Sequence, residues 1–164
     1  MAHPQSLGRS VRCAVITVSD TRTVESDRSG QIIQALLIAA GHQVQDYRIV
    51  PDEPDHIRRL CQTLAQQADV DGIILSGGTG IAPRDTTYDA VAALLEKTLP
   101  GFGEIFRALS FQDIGSRAMA SRAVAGVYQS TLIFSLPGSS KAVTLAMEAL
   151  ILPEIPHLIS LMQA

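Results

Sequence analysis

Only two cysteines occur, Cys13 and Cys61, far apart and without the spacing of metal ligands. That excludes a disulfide framework and a cysteine-built metal site; buried, reduced thiols are expected, in keeping with a cytoplasmic protein. Charged residues make up just 18% of the chain and the net charge is −3, so neither nucleic acid nor an anionic membrane is expected as a partner. Met1–Ser10 holds no apolar stretch of the signal-peptide kind, and the run Ala142–Leu152 reads as too short and too interrupted to span a bilayer. His3, His42, His56 and His157 share no ligand spacing, and neither a Ser-His-Asp nor a Cys-His arrangement is visible. No side chain volunteers as a covalent nucleophile. Chemistry in which the substrates supply the nucleophile, while the protein supplies positioning and a metal, is favoured.

What is present is apolar: hydrophobic residues make up 46% of 164 residues, enough for one domain with a real core and some excess for a subunit interface. Residues 1–10 are expected to be a flexible segment and 11–164 a single domain. The chain is organised around Gly72–Thr87, where an apolar strand-like run breaks into Gly77-Gly78-Thr79-Gly80 and then into Pro83-Arg84-Asp85 ahead of a helical pattern. Strand, glycine-rich loop and helix form the layout of a phosphate-binding loop, with N–H groups turned inward. No Gly-Lys-Ser/Thr follows, so it is not a Walker A loop, and Gly78 and Gly80 lack the third glycine of a dinucleotide fingerprint. Glycines of this kind often make only a tight turn. The Arg84-Asp85 pair tips the reading towards a phosphate with a divalent metal.

The rest of the pattern predicts strands at Arg12–Val18, Gln43–Val50 and Gly72–Ser76, with helices at Gly30–Ala40 and from Pro54 to about Ala68 between them. Such alternation demands a parallel sheet with right-handed crossovers. Helical spacing continues at Tyr88–Glu96, is broken at 99–103 and resumes at Glu104–Phe111; a short helix is expected within 114–124. Ala125–Gln129 and Thr131–Leu136 read as an antiparallel hairpin added to the sheet. A helix begins near Lys141, with Pro153 and Pro156 expected to split the C-terminal part in two. The class is therefore α/β: three layers, α/β/α, around a mostly parallel sheet with an antiparallel hairpin strand.

In such a sheet ligands sit outside the carboxyl ends of the strands. Four polar or glycine-bearing loops would share that edge: Ser19-Asp20, Pro51-Asp52-Glu53, Ser76–Asp85 and Pro137–Ser140. Each has a plainer reading. Asp52 or Glu53 before Pro54 could be a helix cap, Asp20 an Asx turn and Ser139 an N-cap. Arg107, Arg117 and Arg122 read most simply as solvated or interface charges.

Ser76-Gly77-Gly78-Thr79-Gly80-Ile81-Ala82-Pro83-Arg84-Asp85-Thr86-Thr87, Pro100-Gly101-Phe102-Gly103-Glu104, Ser121-Arg122-Ala123 and Leu136-Pro137-Gly138-Ser139, in this order, resemble the molybdenum cofactor biosynthesis family of MoaB/Mog type. The resemblance runs from Val11 to about Leu161, and Phe111–Gly115 looks closer to the MoaB branch. It implies a molybdopterin-binding fold and a homotrimer, or a hexamer of two trimers. It also implies transfer of AMP from ATP to the terminal phosphate of molybdopterin with Mg²⁺, and hand-over to a molybdenum-insertion enzyme. By the same resemblance the essential carboxylates, candidate Mg²⁺ ligands, fall on Asp52 and Asp85. Ser76, Gly77, Gly78, Thr79, Gly80 and Arg84 would hold nucleotide or pterin phosphate. Ser19, Asp20, Pro137, Gly138, Ser139 and Ser140 would line the pterin side. Thr86 stands where the family often has an aliphatic residue, and Ser140 where the adenylyltransferase branch has proline. A binding or carrier protein of the same fold, without catalysis, is the alternative.

Overall fold

The computed structural model describes residues 7–164. Four runs rich in β-branched residues form strands β1 (Arg12–Val18), β2 (Gln43–Val50), β3 (Gly72–Ser76) and β6 (Thr131–Leu136). All four are parallel neighbours in the order β2-β1-β3-β6, and the sheet is completed by β5 (Val124–Tyr128) and the two-residue β4 (Lys97–Thr98), paired antiparallel in turn. Gln129, at φ 53, lies in the tight turn between β5 and β6. Because β2 and β3 flank β1 on opposite sides, the chain reverses direction across the sheet between β1 and β3. Ligand crevices of open α/β sheets form at such a point.

Alternation along β1 splits the core in two. Val11, Cys13 and Val15 face Ile33 and Leu37 of α1 (Arg28–Ala39), Phe102 and Phe106 of α4 (Pro100–Ile114), and the C-terminal helical run. Ala14, Ile16 and Val18 face Ile57, Cys61 and Leu64 of α2 (Pro54–Ala65), together with Ala90 and Val91 of α3 (Thr87–Ala92). Strands covered on both faces explain the near-continuous apolar runs. Burial pushes both thiols, Cys13 and Cys61, up to about 12, so they stay protonated and inert.

Departures from the expected elements have local causes. The helix at 88–96 stops at Ala92, because the Glu96 N–H donates to Val127 O at 2.8 Å and the Leu99 N–H to Ala125 O at 2.8 Å, drawing 97–98 into the sheet edge. Helix α4 starts at Pro100, whose missing N–H is harmless in a first turn. Residues 115–120 form a 3₁₀ turn. The prolines do not split the C-terminal part: α5 (Ser140–Ala146) passes through a wide π turn, Met147–Ile151, into α6 (Leu152–Met162). The widened turn just before Pro153 accommodates its missing donor. That 23-residue run is therefore continuous and by length and composition long enough to cross a membrane. Here Val143, Ala146, Met147, Ile151, Ile155 and Ile159 are buried in the core beside α1.

At the amino-terminal ends of β1 and β3, Asp71 is gripped by Arg9 (2.7 and 2.8 Å) and by the side chain and N–H of Arg12 (3.0, 3.1 and 2.8 Å). This ties residues 7–11 to the start of β3. Burial pushes the Asp71 carboxyl up, but the hydrogen bonds from Arg9 and Arg12 outweigh it and hold the group below the usual carboxylate range.

Candidate functional site

The loops that leave β1, β3 and β6 meet at the switch point through two glycines. Gly77 has φ +103, and a Cβ there would stand 2.3 Å from Val18 O; its N–H donates to Leu136 O at 2.9 Å. Gly138 lies against it, so that a Cβ on Gly138 would be 3.3 Å from Gly77 Cα. Any side chain at Gly77 would part the three strand ends. Gly78, at φ +69, is equally constrained: its Cβ would meet Thr87 Oγ1 at 2.1 Å and Asp52 Oδ2 at 2.6 Å. A Cβ on Gly80 would lie 2.7 Å from Asp85 Oδ2. Asp52, from the end of β2, and Asp85, from the loop after β3, therefore border the same glycine loop two residues apart.

Asp52 is not a helix cap. Glu53 takes the cap position ahead of Pro54, and neither side chain caps α2. Instead the Asp52 carboxylate, 7% exposed, accepts at Oδ1 from Thr86 Oγ1 (2.6 Å) and the Thr86 N–H (3.1 Å). Oδ2 is left facing Gly78 with no donor among the described residues. Asp85 accepts from the Ala82 N–H at 3.0 Å while its own N–H donates to Ala82 O at 2.9 Å, closing the tip of the loop. The N–H groups of Gly78, Thr79 and Gly80 donate to no carbonyl among the described residues, whereas that of Gly77 is spent. Thr87 Oγ1 is buried beside Gly78 without a hydrogen-bond partner, and Ser76 Oγ, at the end of β3, is likewise buried and unpartnered. Unspent donors beside two carboxylates form an anion-and-cation site in outline.

Two arginines shape the loop. Arg84 does not point into the glycine turn. It reaches across to Asp20, with Nε and Nη2 at 2.8–3.1 Å from the carboxylate, and to Glu53 at 3.0 Å. Asp20 also accepts from the Asp52 N–H at 3.0 Å. The hydrogen bond from Arg84, then that from the Asp52 N–H, hold the Asp20 carboxyl below its usual value; Asp20, then Glu53, raise Arg84. Arg122, which the sequence reads as a solvated or interface charge, is the clamp of the loop. Its guanidinium donates to Gly80 O (3.0 Å) and Asp85 O (3.0 Å), pairs with Asp89 (3.2 Å) and lies 4.8 Å over the Tyr88 ring, while its N–H donates to Thr79 O at 2.9 Å. Both ends of the segment 80–85 hang on this one side chain. Beyond it lies a cavity of about 340 Å³ whose lining includes Tyr88, Gly103, Glu104, Arg107, Ser121 and Arg122. Arg107 there donates to Ser121 O and Ala123 O at 3.3 and 3.0 Å and has no carboxylate within ion-pair distance among the described residues.

The loop after β1 is built around Asp27, which caps α1 through the Gly30 N–H at 3.0 Å and is fully buried. Its carboxylate also accepts from Thr17 Oγ1 at 2.6 Å and from the Tyr47 hydroxyl, with Arg22 at 3.5 Å. Burial pushes this carboxyl up; the hydroxyl and N–H donors overcome that and leave it below the usual range. Ser29 Oγ donates to Gly138 O at 2.6 Å, fastening the loop 137–140 to α1. Ser139 caps α5, accepting from the Ala142 N–H at 3.2 Å, and Ser19 Oγ accepts from the Thr21 and Arg22 N–H groups. The four loops expected to share one edge thus meet there. Ser19 and Ser139 serve their own loops, Asp20 serves Arg84, and Asp52 and Asp85 face the glycine turn. By residue type and spacing neither Thr86 nor Arg122 reads as a site residue. Ser121-Arg122 was visible only as part of a motif, with nothing to tell a clamp from a surface charge.

Among the described residues no three His, Cys, Asp or Glu side chains stand together as a ready metal cage. Mg²⁺ does not require one: it keeps several waters and takes one or two carboxylates plus substrate phosphates. Asp52, with Oδ2 free, and Asp85 fit that donor set.

Residues 14–157 match the family described as "Probable molybdopterin binding domain". The chain is 54% identical over 156 residues to molybdenum cofactor biosynthesis protein B of Halalkalibacterium halodurans, covering 94% of this chain and 92% of that protein. It is 52% identical to the protein of the same name from Bacillus subtilis, covering 96% and 93%. Among solved structures, one of a molybdenum cofactor biosynthesis protein B superposes with a TM-score of 0.92 at 49% identity, covering 94% of this chain and 97% of that one. The tungsten cofactor synthesizing protein MoaB from Pyrococcus furiosus superposes with a TM-score of 0.84 at 32% identity, covering 94% and 98%.

Proposed function

This chain belongs to the molybdopterin-binding domain family that includes molybdenum cofactor biosynthesis protein B, and from that premise we propose that it binds molybdopterin and transfers AMP to it from ATP. A terminal phosphate oxygen of molybdopterin attacks the α-phosphorus of ATP. The bond from that phosphorus to the bridging oxygen of the β-phosphate breaks, and pyrophosphate leaves with the electron pair. One observation carries the reading: two carboxylates from separate strand ends, Asp52 and Asp85, border a glycine loop with unspent N–H donors.

Each residue has a task that follows from its position. The N–H groups of Gly78, Thr79 and Gly80 receive phosphate oxygens, as backbone donors at a loop-to-helix junction do. Asp52 and Asp85 would hold Mg²⁺, which when bound offsets the repulsion between the triphosphate and the pterin phosphate. Thr86 fixes the Asp52 carboxylate so that Oδ2 stays turned to the loop. Arg122 holds Gly80 and Asp85 at a set separation, which keeps the phosphate donors in register with the carboxylate. Ser19, Asp20 and Pro137–Ser140 line the pterin side, and Arg107 in the adjoining cavity offers a cation without a carboxylate partner. Preorganised donors of this sort cost no rearrangement when charge develops at the transferring phosphorus.

The protein acts in the cytoplasm as a trimer or a hexamer of two trimers and passes its product to a molybdenum-insertion enzyme. The exposed Ile105, Phe111, Ile114 and Met119 on and just after α4 support an oligomer, since each is at least half exposed in the single chain. Incubating the purified protein with molybdopterin, ATP and Mg²⁺ tests the activity: adenylyl-molybdopterin and pyrophosphate are expected in equal amounts. Retention of molybdopterin with no adenylyl product would instead make this a carrier.

A further inference from the structure

Arg84 raises a difficulty for any account in which it binds phosphate, because its guanidinium is already occupied. Nε and Nη2 grip Asp20 and Nη1 grips Glu53. The three side chains come from the loops after β3, β1 and β2, so the contact closes across the mouth of the switch-point crevice. All three are open to water, with side chains 59%, 40% and 54% exposed. Ion pairs at such exposure contribute little to stability, and breaking them costs correspondingly little. A fold that needed them as struts would bury them, as it does Asp71 against Arg9 and Arg12 and Asp27 within its hydroxyl network.

The geometry is that of a phosphate contact. A planar fork with two donors on one carboxylate is also how a guanidinium receives two phosphate oxygens. Asp20 does not need Arg84 to stay in place, since the Asp52 N–H holds Oδ1 from the other side. Next to this contact lie groups still without a partner: the N–H donors of Gly78, Thr79 and Gly80, and the fully buried Thr87 hydroxyl beside Gly78 and Asp52 Oδ2. Arg84 sits on the same loop, one residue before Asp85.

We infer that Asp20 and Glu53 occupy, on Arg84, the place taken by the triphosphate of the nucleotide, so that the nucleotide enters by displacing the two carboxylates from the guanidinium. The inference rests on the adenylyl-transfer reading for the identity of the anion, but not on the chemical step. The exchange has two consequences. Paired in this way, Arg84 is hidden from stray anions, because a single phosphate competes poorly with two carboxylates. A polyphosphate, which can bridge the loop N–H groups and Arg84 at once, competes well. Selection is then for a chain of phosphates over a lone one.

The test is a double-mutant cycle read by calorimetry, with inorganic tripolyphosphate as the probe and chelator present so that metal plays no part. The forms compared are the intact protein, Asp20→Asn/Glu53→Gln, Arg84→Gln and the triple variant. The amide at position 20 keeps an oxygen for the Asp52 N–H, and matching thermal melts confirm that each form is folded. The Asp20→Asn/Glu53→Gln protein should bind tripolyphosphate about tenfold more tightly than the intact chain, and the gain should vanish when Arg84→Gln is added, since coupled residues are non-additive. A distant pair of equal charge change, Glu148→Gln/Glu154→Gln, should give no such gain. A gain that persists without Arg84, or that the distant pair reproduces, would reduce the effect to net charge and overturn the inference. So would no gain at all. If the intact protein makes adenylyl-molybdopterin while the cycle shows no coupling, the inference alone falls. Coupling without adenylyl product would sink the reaction and leave the exchange standing.

Discussion

Replacing Thr86 by valine removes one hydroxyl and changes little else. The isosteric side chain fills the same space, the Thr86 N–H still donates to Asp52 Oδ1 at 3.1 Å, and no cap is lost because the Thr86 side chain does not cap α3. What disappears is the 2.6 Å bond from Oγ1 to the same oxygen. Asp52 is 7% exposed, so little water stands ready to replace the donor. Hydrogen bonds to charged groups contribute about 1.5–3 kcal/mol, which sets the expected loss. For a domain of this size each kcal/mol moves the melting temperature by about 2–4 °C, so Thr86→Val should melt about 3–12 °C below the intact protein. Thr86→Ser, which keeps the hydroxyl, should recover most of the difference. Differential scanning calorimetry on the three proteins at neutral pH decides the matter. A valine variant that melts within about 1 °C of the intact protein would show that the hydroxyl does not hold Asp52, and the argument for how that carboxylate is aimed would fail.

Arg122→Lys keeps the charge but cannot reach Gly80 O, Asp85 O and Asp89 together; adenylyl transfer should fall about tenfold or more through misplacement of the loop, with molybdopterin binding by fluorescence titration nearly unchanged. Acid should weaken the fold through Asp71. Its folded-state carboxyl is held below the usual range by Arg9 and Arg12, so its stabilising contribution is complete above the unfolded value near 3.9 and is lost as pH falls below that towards the folded one. The gap in melting temperature between the intact protein and Asp71→Asn should therefore be constant from neutrality to about pH 5 and shrink below pH 4; a gap that stays level through the acid range would refute the assignment.

The strands were legible because their physics is local. Arg12–Val18, Gln43–Val50, Gly72–Ser76 and Thr131–Leu136 are apolar or alternating runs with β-branched residues, bounded by glycine, proline or polar turns, and the structure has strands at those bounds. Lys97–Thr98 carried no such signal: it is a strand only because Glu96 and Leu99 find carbonyls on β5. Pro153 and Pro156 did mark a break in the α pattern, but a π turn absorbed it, and periodicity alone does not reveal a five-residue register. At the site, the glycines and the two aspartates stood out by type and spacing. Thr86 and Arg122 did not, since a hydroxyl that aims a carboxylate and a guanidinium that pins two carbonyls act across 34 and 42 residues of chain.

The central claim is that Asp52 and Asp85 act on phosphate chemistry rather than on the fold, and the formation of adenylyl-molybdopterin by Asp85→Asn tests it most directly. Asparagine can still accept from the Ala82 N–H, as it can accept from Thr86 in Asp52→Asn, so melting temperature and oligomer should persist in both variants. Only the negative charge is removed. With Mg²⁺ and ATP in excess, the rate should drop about a hundredfold or more, the scale on which loss of a single group stabilising transition-state charge is felt, while molybdopterin binding is largely retained. Transfer of adenylate by Asp85→Asn at the rate of the intact protein would contradict the account and leave this carboxylate as nothing more than the clasp of its own turn.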